Sequence, residues 1–273
     1  MTAAKGDRRP DLAEDRFPSS DATQDAPDSA LAEDEAADSG RDASTVAYLK
    51  IRKDILAGRA APGSYLNQVH IARELAISRG PLREALRRLE KEGLVVSEKN
   101  RRSRVAELSA SDAEQLYALR CVNERLAIEL SVPLLTGDDL RDMAEALATM
   151  HATDKSDEDA WEAAHERFHE LAFIRAPSRI YGVVQELREH AGRYIRLLHV
   201  ERAHAFALVE HEQLLTACQE ADAVRAAQIV TSHLARTAFG VLTIIDPLYE
   251  PASLRQLMRR VMGGDPVASV RVS

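Results

Sequence analysis

The pattern of apolar and polar residues divides the chain into parts of different character. Residues 1–43 are rich in Asp, Ala, Ser and Glu, with few large apolar residues and no period. They lack the apolar surface that would offset the entropy of ordering, so we expect a disordered acidic tail. The pattern predicts helices and a hairpin in 44–108, helices alone in 109–247, and a short helix and tail in 248–273.

Three helices are predicted at the start of the second part. Apolar positions predict one from Val46 to Leu56, and Asn67 is a suitable cap for a short helix through Ala76. Ser78 is a good N-cap for the third, because its side-chain oxygen can accept a hydrogen bond from a free N–H of the first turn.

The third helix has an apolar face and a basic face. Its apolar residues recur at i, i+3, i+4 and i+7, which predicts a buried stripe: Leu82, Ala85, Leu86 and Leu89. Arg79, Arg83 and Arg87 recur every four residues on another face. After Gly93, LVVSE and SRVAEL predict two short strands around the basic tip KNRRS. This order of elements is that of a winged helix-turn-helix.

The distribution of charge suggests a partner for this part. The chain carries a net charge of -8, made up of -7 in 1–43, +7 in 44–107 and -8 in the remainder. A concentrated basic module in an acidic protein suggests a polyanion partner. An α-helix fits the major groove, and arginine can read guanine there. We therefore expect double-stranded DNA to contact the basic helix face and, at the hairpin tip, Arg101 and Arg102. The alternative is a solvated face whose arginines pair with Glu84 or Glu90.

The third part predicts an antiparallel helical bundle. Helices are expected near 109–132, 138–151, 157–175, 179–199, 203–219 and 222–244, and a last short one near 252–262. Thr136 with Asp139 predicts a cap for the second of them, and Ser178 a cap for the fourth. Short connections between helices favour antiparallel neighbours. The fold class is therefore mainly α, with an N-terminal winged helix-turn-helix and a C-terminal all-α antiparallel bundle.

Four histidines of the bundle are candidate metal ligands. His165 and His169 belong to HERFH, which has the HExxH pattern of zinc proteases, although two histidines four apart share a face in any helix. His211 and His233 lie eleven residues on either side of Asp222, where the chain is expected to fold back. They would then face each other at the same height, and imidazoles from three helices would meet in the core. The alternative is ordinary core histidines that are held by hydrogen bonds.

Arg120 is a candidate anion-binding residue. It is predicted to lie on an inward-leaning face of the first bundle helix. A buried guanidinium needs an anion, which can be a bound carboxylate or Glu124 one turn away. Arg188, Arg193 and Arg196 are further candidates, among which periodicity does not choose.

Three stretches resemble the N-terminal domain of GntR-type bacterial transcription regulators: ILAGRAAPGSYL, IARELAISRGPLREALRRLEKEGLV and SRVAELS. The resemblance implies that Arg79 and Arg83 read bases and that Ser78 and Gly80 lie at the phosphates. The family often has glycine at the wing tip, whereas this chain has NRRS at 100–103.

The helical part is similar to the FCD effector domain of the FadR subfamily over most of 109–240. The similarity lies in LYALRCVNERLAIELS, HERFHELAF and VEHEQLLTACQEADAVRAAQIVTSHL. Many such domains bind a divalent metal through an Asp and three His. His169, His211 and His233 match those histidines, and His165 stands where the family usually has Asp.

The resemblance has consequences for the metal and for the effector. If His165 remains a ligand, four imidazoles favour zinc, nickel or copper over harder ions, with zinc or nickel expected first. If it does not, the site is weaker or empty. The resemblance also implies that Arg120 helps to bind a carboxylate effector.

Taken together, these features predict a cytoplasmic, homodimeric transcription regulator rather than an enzyme. It would bind a pseudo-palindromic operator and respond to a small organic acid at a metal site, without a membrane segment. Two alternatives remain open: a metal-dependent hydrolase that uses Glu166 as general base, and a metal sensor without an organic effector.

Overall fold

The computed structural model describes residues 28–97, 102–154, 157–197 and 200–262. The part before Ala110 contains helices α1 (Asp28–Leu56), α2 (Gln68–Glu74) and α3 (Arg79–Lys91) and strands β1 (Tyr65–Leu66), β2 (Val95–Ser97) and β3 (Ser103–Val105). The part after it contains α4 (Ala110–Ser131), α5 (Gly137–Ala152), α6 (Glu158–Phe173), α7 (Ser178–Ile195), α8 (Val200–Gln219), α9 (Ala223–Ile245) and α10 (Ala252–Met262). No helix among the described residues is long and apolar enough to cross a membrane.

The first part folds as the predicted winged helix-turn-helix. The predicted stripe of α3 is buried against α1 and the sheet, in a core of Ala47, Ile51, Ile55, Leu82, Ala85, Leu86, Leu89, Leu94, Val95 and Val105. The three strands are antiparallel in the order β1-β3-β2, with Val95 opposite Val105. The two-residue strand β1 was not predicted. Asn67 caps α2 as expected, accepting a hydrogen bond from the backbone N–H of His70 at 3.1 Å.

Helix α1 begins earlier than predicted. It starts at Asp28 rather than Val46, and residues 1–27 of the segment that we expect to be disordered lie outside the described ranges. The physical reason is that an alanine-rich segment favours a helix by intrinsic propensity, which requires no buried surface. The apolar period on which our prediction depended is absent there.

The second part folds as the predicted helical bundle, whose helices end within a few residues of the expected positions. Its core contains fully buried aromatic side chains from α4, α6 and α7: Tyr117, Phe168, Phe173 and Tyr194. The capping box of Thr136 and Asp139 at the start of α5 is present. The predicted cap at Ser178 is wrong, because α7 begins at that residue and Pro177 takes the N-cap position. Proline fixes φ there and favours helix entry.

Helix α7 connects the two parts of the chain. Glu189 forms an ion pair with Arg52 of α1, with 2.6 Å between Oε2 and Nη1. Arg193 donates a hydrogen bond to the carbonyl of Ala106 at 2.5 Å, and Arg196 donates one to the carbonyl of Leu56 at 2.7 Å. Arg193 and Arg196 are therefore engaged at the DNA-binding part rather than at the histidines.

Candidate metal centre and nucleic-acid interface

The four candidate histidines meet in the core of the bundle. His165 and His169 come from α6, His211 from α8 and His233 from α9, and one ring nitrogen of each lies within 4.8 Å of the others. The fold-back that brings His211 and His233 together is capped by Asp222, which accepts a hydrogen bond from the N–H of Arg225 at 3.0 Å. The structure thus places these four predicted residues in one cluster.

The spacing of the ring nitrogens fits a shared cation better than mutual hydrogen bonds. Nε2 of His169 lies 3.1 Å from Nε2 of His165 and 3.0 Å from Nε2 of His211. An imidazole nitrogen carries either one hydrogen or one lone pair, so His169 can satisfy only one of these neighbours. Ligand atoms at about 2.1 Å from one ion are separated by about 3 Å, which matches these two distances, and the four nitrogens, which lie within 4.8 Å of one another, would draw together around the ion.

Burial keeps the four rings neutral. It lowers the pKa of His211 to about 2 and that of His233 to about 4, and it holds the pKa values of His165 and His169 well below the usual 6.5. Neighbouring imidazoles and the guanidinium groups of Arg120 and Arg188 add to this effect. Neutral rings keep their lone pairs, which metal ligation requires.

Two buried nitrogens of the cluster also lack a protein partner. Nδ1 of His165 and Nδ1 of His211 have no hydrogen-bond partner among the described residues. Buried polar atoms in native structures are normally paired, so orphaned ones are typical of binding sites. The four imidazoles as a donor set fit a divalent transition metal.

Two arginines beside the histidines share one buried carboxylate. Nε of Arg120 lies 2.7 Å from Oε1 of Glu124, and Nη1 of Arg188 lies 3.5 Å from Oε2 of the same residue. Glu124 is 1% exposed and Arg120 is 3% exposed. The pairing of Arg120 with Glu124, which the sequence left open as an alternative, is therefore present. Glu162 and Glu166 also act on Arg188 electrostatically, so the positive charge beside the histidines is shared among several carboxylates.

Glu166 is placed differently from the histidines. It lies on the exposed surface of α6, whereas the ring nitrogens of the cluster are buried. A general base must reach the water or substrate at the reacting centre. The carboxylate of Glu166 is exposed but acts electrostatically on Arg188, and the variant Glu166→Gln tests whether it serves as a general base.

Sequence reasoning missed Glu210 and Arg236 near the cluster. Oε2 of Glu210 lies 2.8 Å from Nδ1 of His233, and both oxygens of Glu210 contact the guanidinium of Arg236. The available signals were weak: Glu210 precedes His211 directly, and Arg236 lies one turn after His233.

The candidate DNA-reading surface lies on α3. Ser78, Arg79, Gly80, Arg83 and Arg87 are all exposed. Ser78 takes the predicted N-cap position but its side chain makes no capping hydrogen bond, so its hydroxyl is available to a ligand. Among the described residues, Arg79 and Arg83 have no acidic partner within ion-pair distance, whereas Arg87 lies 3.4 Å from Glu84.

The wing is only partly described. Lys99 and the predicted contact Arg101 lie outside the described residues. Arg102 is exposed, and its guanidinium lies 6.0 Å from the ring centre of Tyr65. Arg104 forms an ion pair with Glu107 at 2.5 Å, so its charge is already partly compensated.

Comparisons with known proteins agree with this architecture. Residues 43–105 match the family described as bacterial regulatory proteins, gntR family, and residues 115–236 match the FCD domain. An HTH-type transcriptional regulator from the TAR-I ttuE-ttuC' intergenic region of Agrobacterium vitis is 36% identical over 146 residues, which cover 51% of this chain and 83% of that protein. The HTH-type transcriptional regulator YdhC of Bacillus subtilis (strain 168) is 28% identical over 193 residues, which cover 68% of this chain and 85% of that protein.

A solved structure shows the same arrangement of the two parts. The putative transcriptional regulator GntR from Rhodococcus sp. RHA1 superposes with a TM-score of 0.61 at 26% identity, covering 76% of this chain and 99% of that one. The chain therefore belongs to the GntR family of bacterial transcription regulators and carries an FCD domain. It is a DNA-binding regulator and not an enzyme.

Proposed function

We propose that this regulator binds a pseudo-palindromic operator as a homodimer in the cytoplasm, and that a small organic acid at a metal site modulates the binding. The observation that carries the proposal is the buried cluster of His165, His169, His211 and His233 beside two arginines that share one carboxylate. The effector would bind the two dimer arrangements unequally and so change the preferred half-site spacing.

For the operator, we assign base reading to Arg79 and Arg83. They are exposed on the first turns of α3, and their guanidinium groups are not engaged by described acidic residues. Ser78 and Gly80 lie where the helix N-terminus can hold a phosphate. Arg87, Arg101 and Arg102 are assigned to the DNA backbone, which supplies affinity but no sequence information.

For the metal, we propose zinc or nickel held by the four imidazoles. Nitrogen donors without a carboxylate favour these ions over magnesium or calcium. When bound, the metal would supply a positive centre to which a carboxylate can be attracted. The chain's own residues provide the enclosure, since His169 and His211 are almost fully buried.

For the effector, we propose a small organic acid that binds between the histidines and Arg188. The guanidinium of Arg120 is held closely by Glu124, whereas the contact of Arg188 is longer at 3.5 Å and its side chain is 13% exposed. Arg188 is therefore freer to engage a carboxylate, and Arg120 contributes the charge that Glu124 only partly compensates.

For the dimer, we propose that an exposed apolar stripe on α4 packs against a second copy. The stripe consists of Leu119, Val122, Leu126 and Leu130, which are 39–54% exposed and lie on one helix face. Two copies would present two reading helices, as a two-fold operator requires. Leu126→Glu should give monomers in analytical ultracentrifugation, while Val224→Glu, at an exposed position on α9, should leave the dimer intact. Dimers of unchanged stability in Leu126→Glu would contradict this assignment.

Native mass spectrometry of the full chain tests the metal and effector together. We expect zinc or nickel in the wild type, its loss in His211→Ala and its retention in Glu166→Gln. Added carboxylates should give a ternary mass and change operator affinity. Full metal retention in His211→Ala would contradict the site, metal without any carboxylate response would favour a pure metal sensor, and peptide hydrolysis that is lost in Glu166→Gln would favour a hydrolase.

A further inference from the structure

We propose that Glu210 is a positioning residue that sets the metal affinity of the cluster through His233. The inference rests on the metal site proposed above and extends it to a residue that is not a ligand. It is carried by a chain of contacts from α8 to α9, in which Glu210 bridges His233 and Arg236.

The contact between Glu210 and His233 fixes which ring nitrogen carries the hydrogen. Oε2 of Glu210 lies 2.8 Å from Nδ1 of His233. An ionised carboxylate has no hydrogen to donate, so this contact favours the hydrogen on Nδ1, whereas the contact of Arg236 with the same nitrogen is longer at 3.4 Å. The neutral ring then has its lone pair on Nε2. Glu210 therefore selects the tautomer that can bind a cation through Nε2.

Arg236 holds the carboxylate of Glu210 in that position. Both of its terminal nitrogens contact the two oxygens of Glu210, in the bidentate arrangement that is strongest for this pair. Arg236 lies one turn after His233 on α9, so the carboxylate from α8 is held between two residues of the neighbouring helix. Arg236 is thus expected to keep the carboxylate of Glu210 oriented toward His233.

His233 has a carboxylate hydrogen-bond partner at Nδ1, whereas His165 and His211 do not have one among the described residues. Nδ1 of His211 has no hydrogen-bond partner among the described residues, and Nδ1 of His165 is 3.9 Å from Glu162, too long for a hydrogen bond. A carboxylate acceptor raises the basicity of the ligating nitrogen and restricts rotation of the ring, and loss of such a partner typically weakens metal binding 10–100-fold. The ring orientation of His233 is accordingly more firmly fixed than the orientations of His165 and His211.

The test compares Glu210→Gln with Glu212→Gln, since Glu212 lies on the same helix and pairs at the surface with His151. Zinc affinity is measured by competition with a chromophoric chelator, using the full chain and zinc alone. We expect Glu210→Gln to bind zinc about 10–100-fold more weakly and Glu212→Gln to bind it like the wild type. Equal zinc affinity in Glu210→Gln and the wild type would overturn the inference.

Nitrogen NMR of the metal-free protein separates positioning from a loss of structure. The shifts of the His233 ring should report hydrogen on Nδ1 in the wild type and a mixture of tautomers in Glu210→Gln. If Glu210→Gln does not fold, Arg236→Gln serves as the second variant, with a smaller loss of zinc affinity and partial mixing. A wild type that binds no zinc would contradict the proposed metal site, whereas its NMR spectrum would still test the Glu210 contact. An unchanged His233 tautomer in both variants would overturn the inference.

Discussion

The hydroxyl of Tyr249 donates a hydrogen bond of 2.6 Å to Oε2 of Glu114, 135 residues earlier in the chain. The other oxygen of Glu114 accepts a hydrogen bond of 2.9 Å from the backbone N–H of Leu254, in the first turn of α10. Glu114 is 5% exposed, so a buried carboxylate of α4 holds the last helix in place.

Glu114→Ala should destabilise the protein markedly. It would leave the buried backbone N–H of Leu254 without its partner, at about 1–3 kcal/mol for a buried group that stays unsatisfied. Urea unfolding measures the change in free energy. Glu129→Ala on the same helix is the control, because Glu129 pairs with partly exposed Arg125 and such pairs contribute about 1 kcal/mol or less. Similar losses in the two variants would contradict the role of Glu114.

Arg83→Ala and Arg102→Ala should affect DNA binding in different ways. Loss of a base-reading arginine should cost about 1–3 kcal/mol on the operator and relax the preference at one guanine. Arg102→Ala should weaken binding evenly across sequences and flatten its dependence on salt. Fluorescence anisotropy with operator and random duplexes at several salt concentrations distinguishes these effects. Equal losses on both duplexes for Arg83→Ala would contradict the recognition-helix assignment.

Asp139 should make the stability of the wild type depend on acid pH. The hydrogen bond from Arg175 holds the pKa of Asp139 well below its usual range. A depressed pKa contributes stability that is present above the unfolded pKa of about 3.9 and is lost as the pH falls further. The melting point of the wild type should therefore exceed that of Asp139→Asn at pH 6, and the difference should shrink below pH 4. The exposed Asp138→Asn is the matched control; a difference that stays constant down to pH 3 would contradict the prediction.

His165→Asp should keep a metal but change its preference. The substitution restores the ligand that similar FCD domains usually have at this position, and a carboxylate oxygen favours harder ions than imidazole does. The ratio of manganese to zinc affinity should rise relative to the wild type, as measured by competitive loading and elemental analysis. An unchanged ratio would indicate that His165 is not a ligand.

Arg196→Ala should weaken the response to an effector more than it weakens DNA binding itself. Arg196 contacts the end of α1 through the carbonyl of Leu56, and it is not among the residues that we assign to DNA. The operator affinity without effector should change little, and the change on adding a carboxylate should be smaller than in the wild type. Arg179→Ala, at an exposed position at the start of α7, is the control. An undiminished effector response in Arg196→Ala would contradict coupling through this contact.

Most of the helices and the histidine cluster could be predicted because they follow from local patterns. The stripe from Leu82 to Leu89 repeats with the helical period, and Asp222 marks a fold-back that sets His211 and His233 at equal heights. Both features require only the geometry of one helix or of two adjacent ones.

The features that sequence reasoning missed depend on contacts between distant segments. Strand β1 has two residues and exists through its pairing with β3, and the bridge of Glu210 is visible only once α8 and α9 are packed together. Similarly, Arg120 and Arg188 could be predicted to lie near the core, but the sequence did not show that both of them contact the carboxylate of Glu124. The pattern of residues along the chain does not show which of two arginines a single carboxylate contacts more closely.

The contacts of α7 imply that the DNA-binding part has little freedom to move relative to the helical bundle. Arg188 lies beside the histidines, and Arg196 lies eight residues, or about 12 Å of helix, further along and contacts the end of α1. Between them, Arg193 donates a hydrogen bond to Ala106 in the short link between β3 and α4. Because α7 is a rigid helix with contacts at both ends, a tilt of α7 near the histidines should displace the DNA-binding part at its other end. The range of half-site spacings that the dimer tolerates is then expected to depend on how far α7 can tilt, and not on the length of a flexible linker.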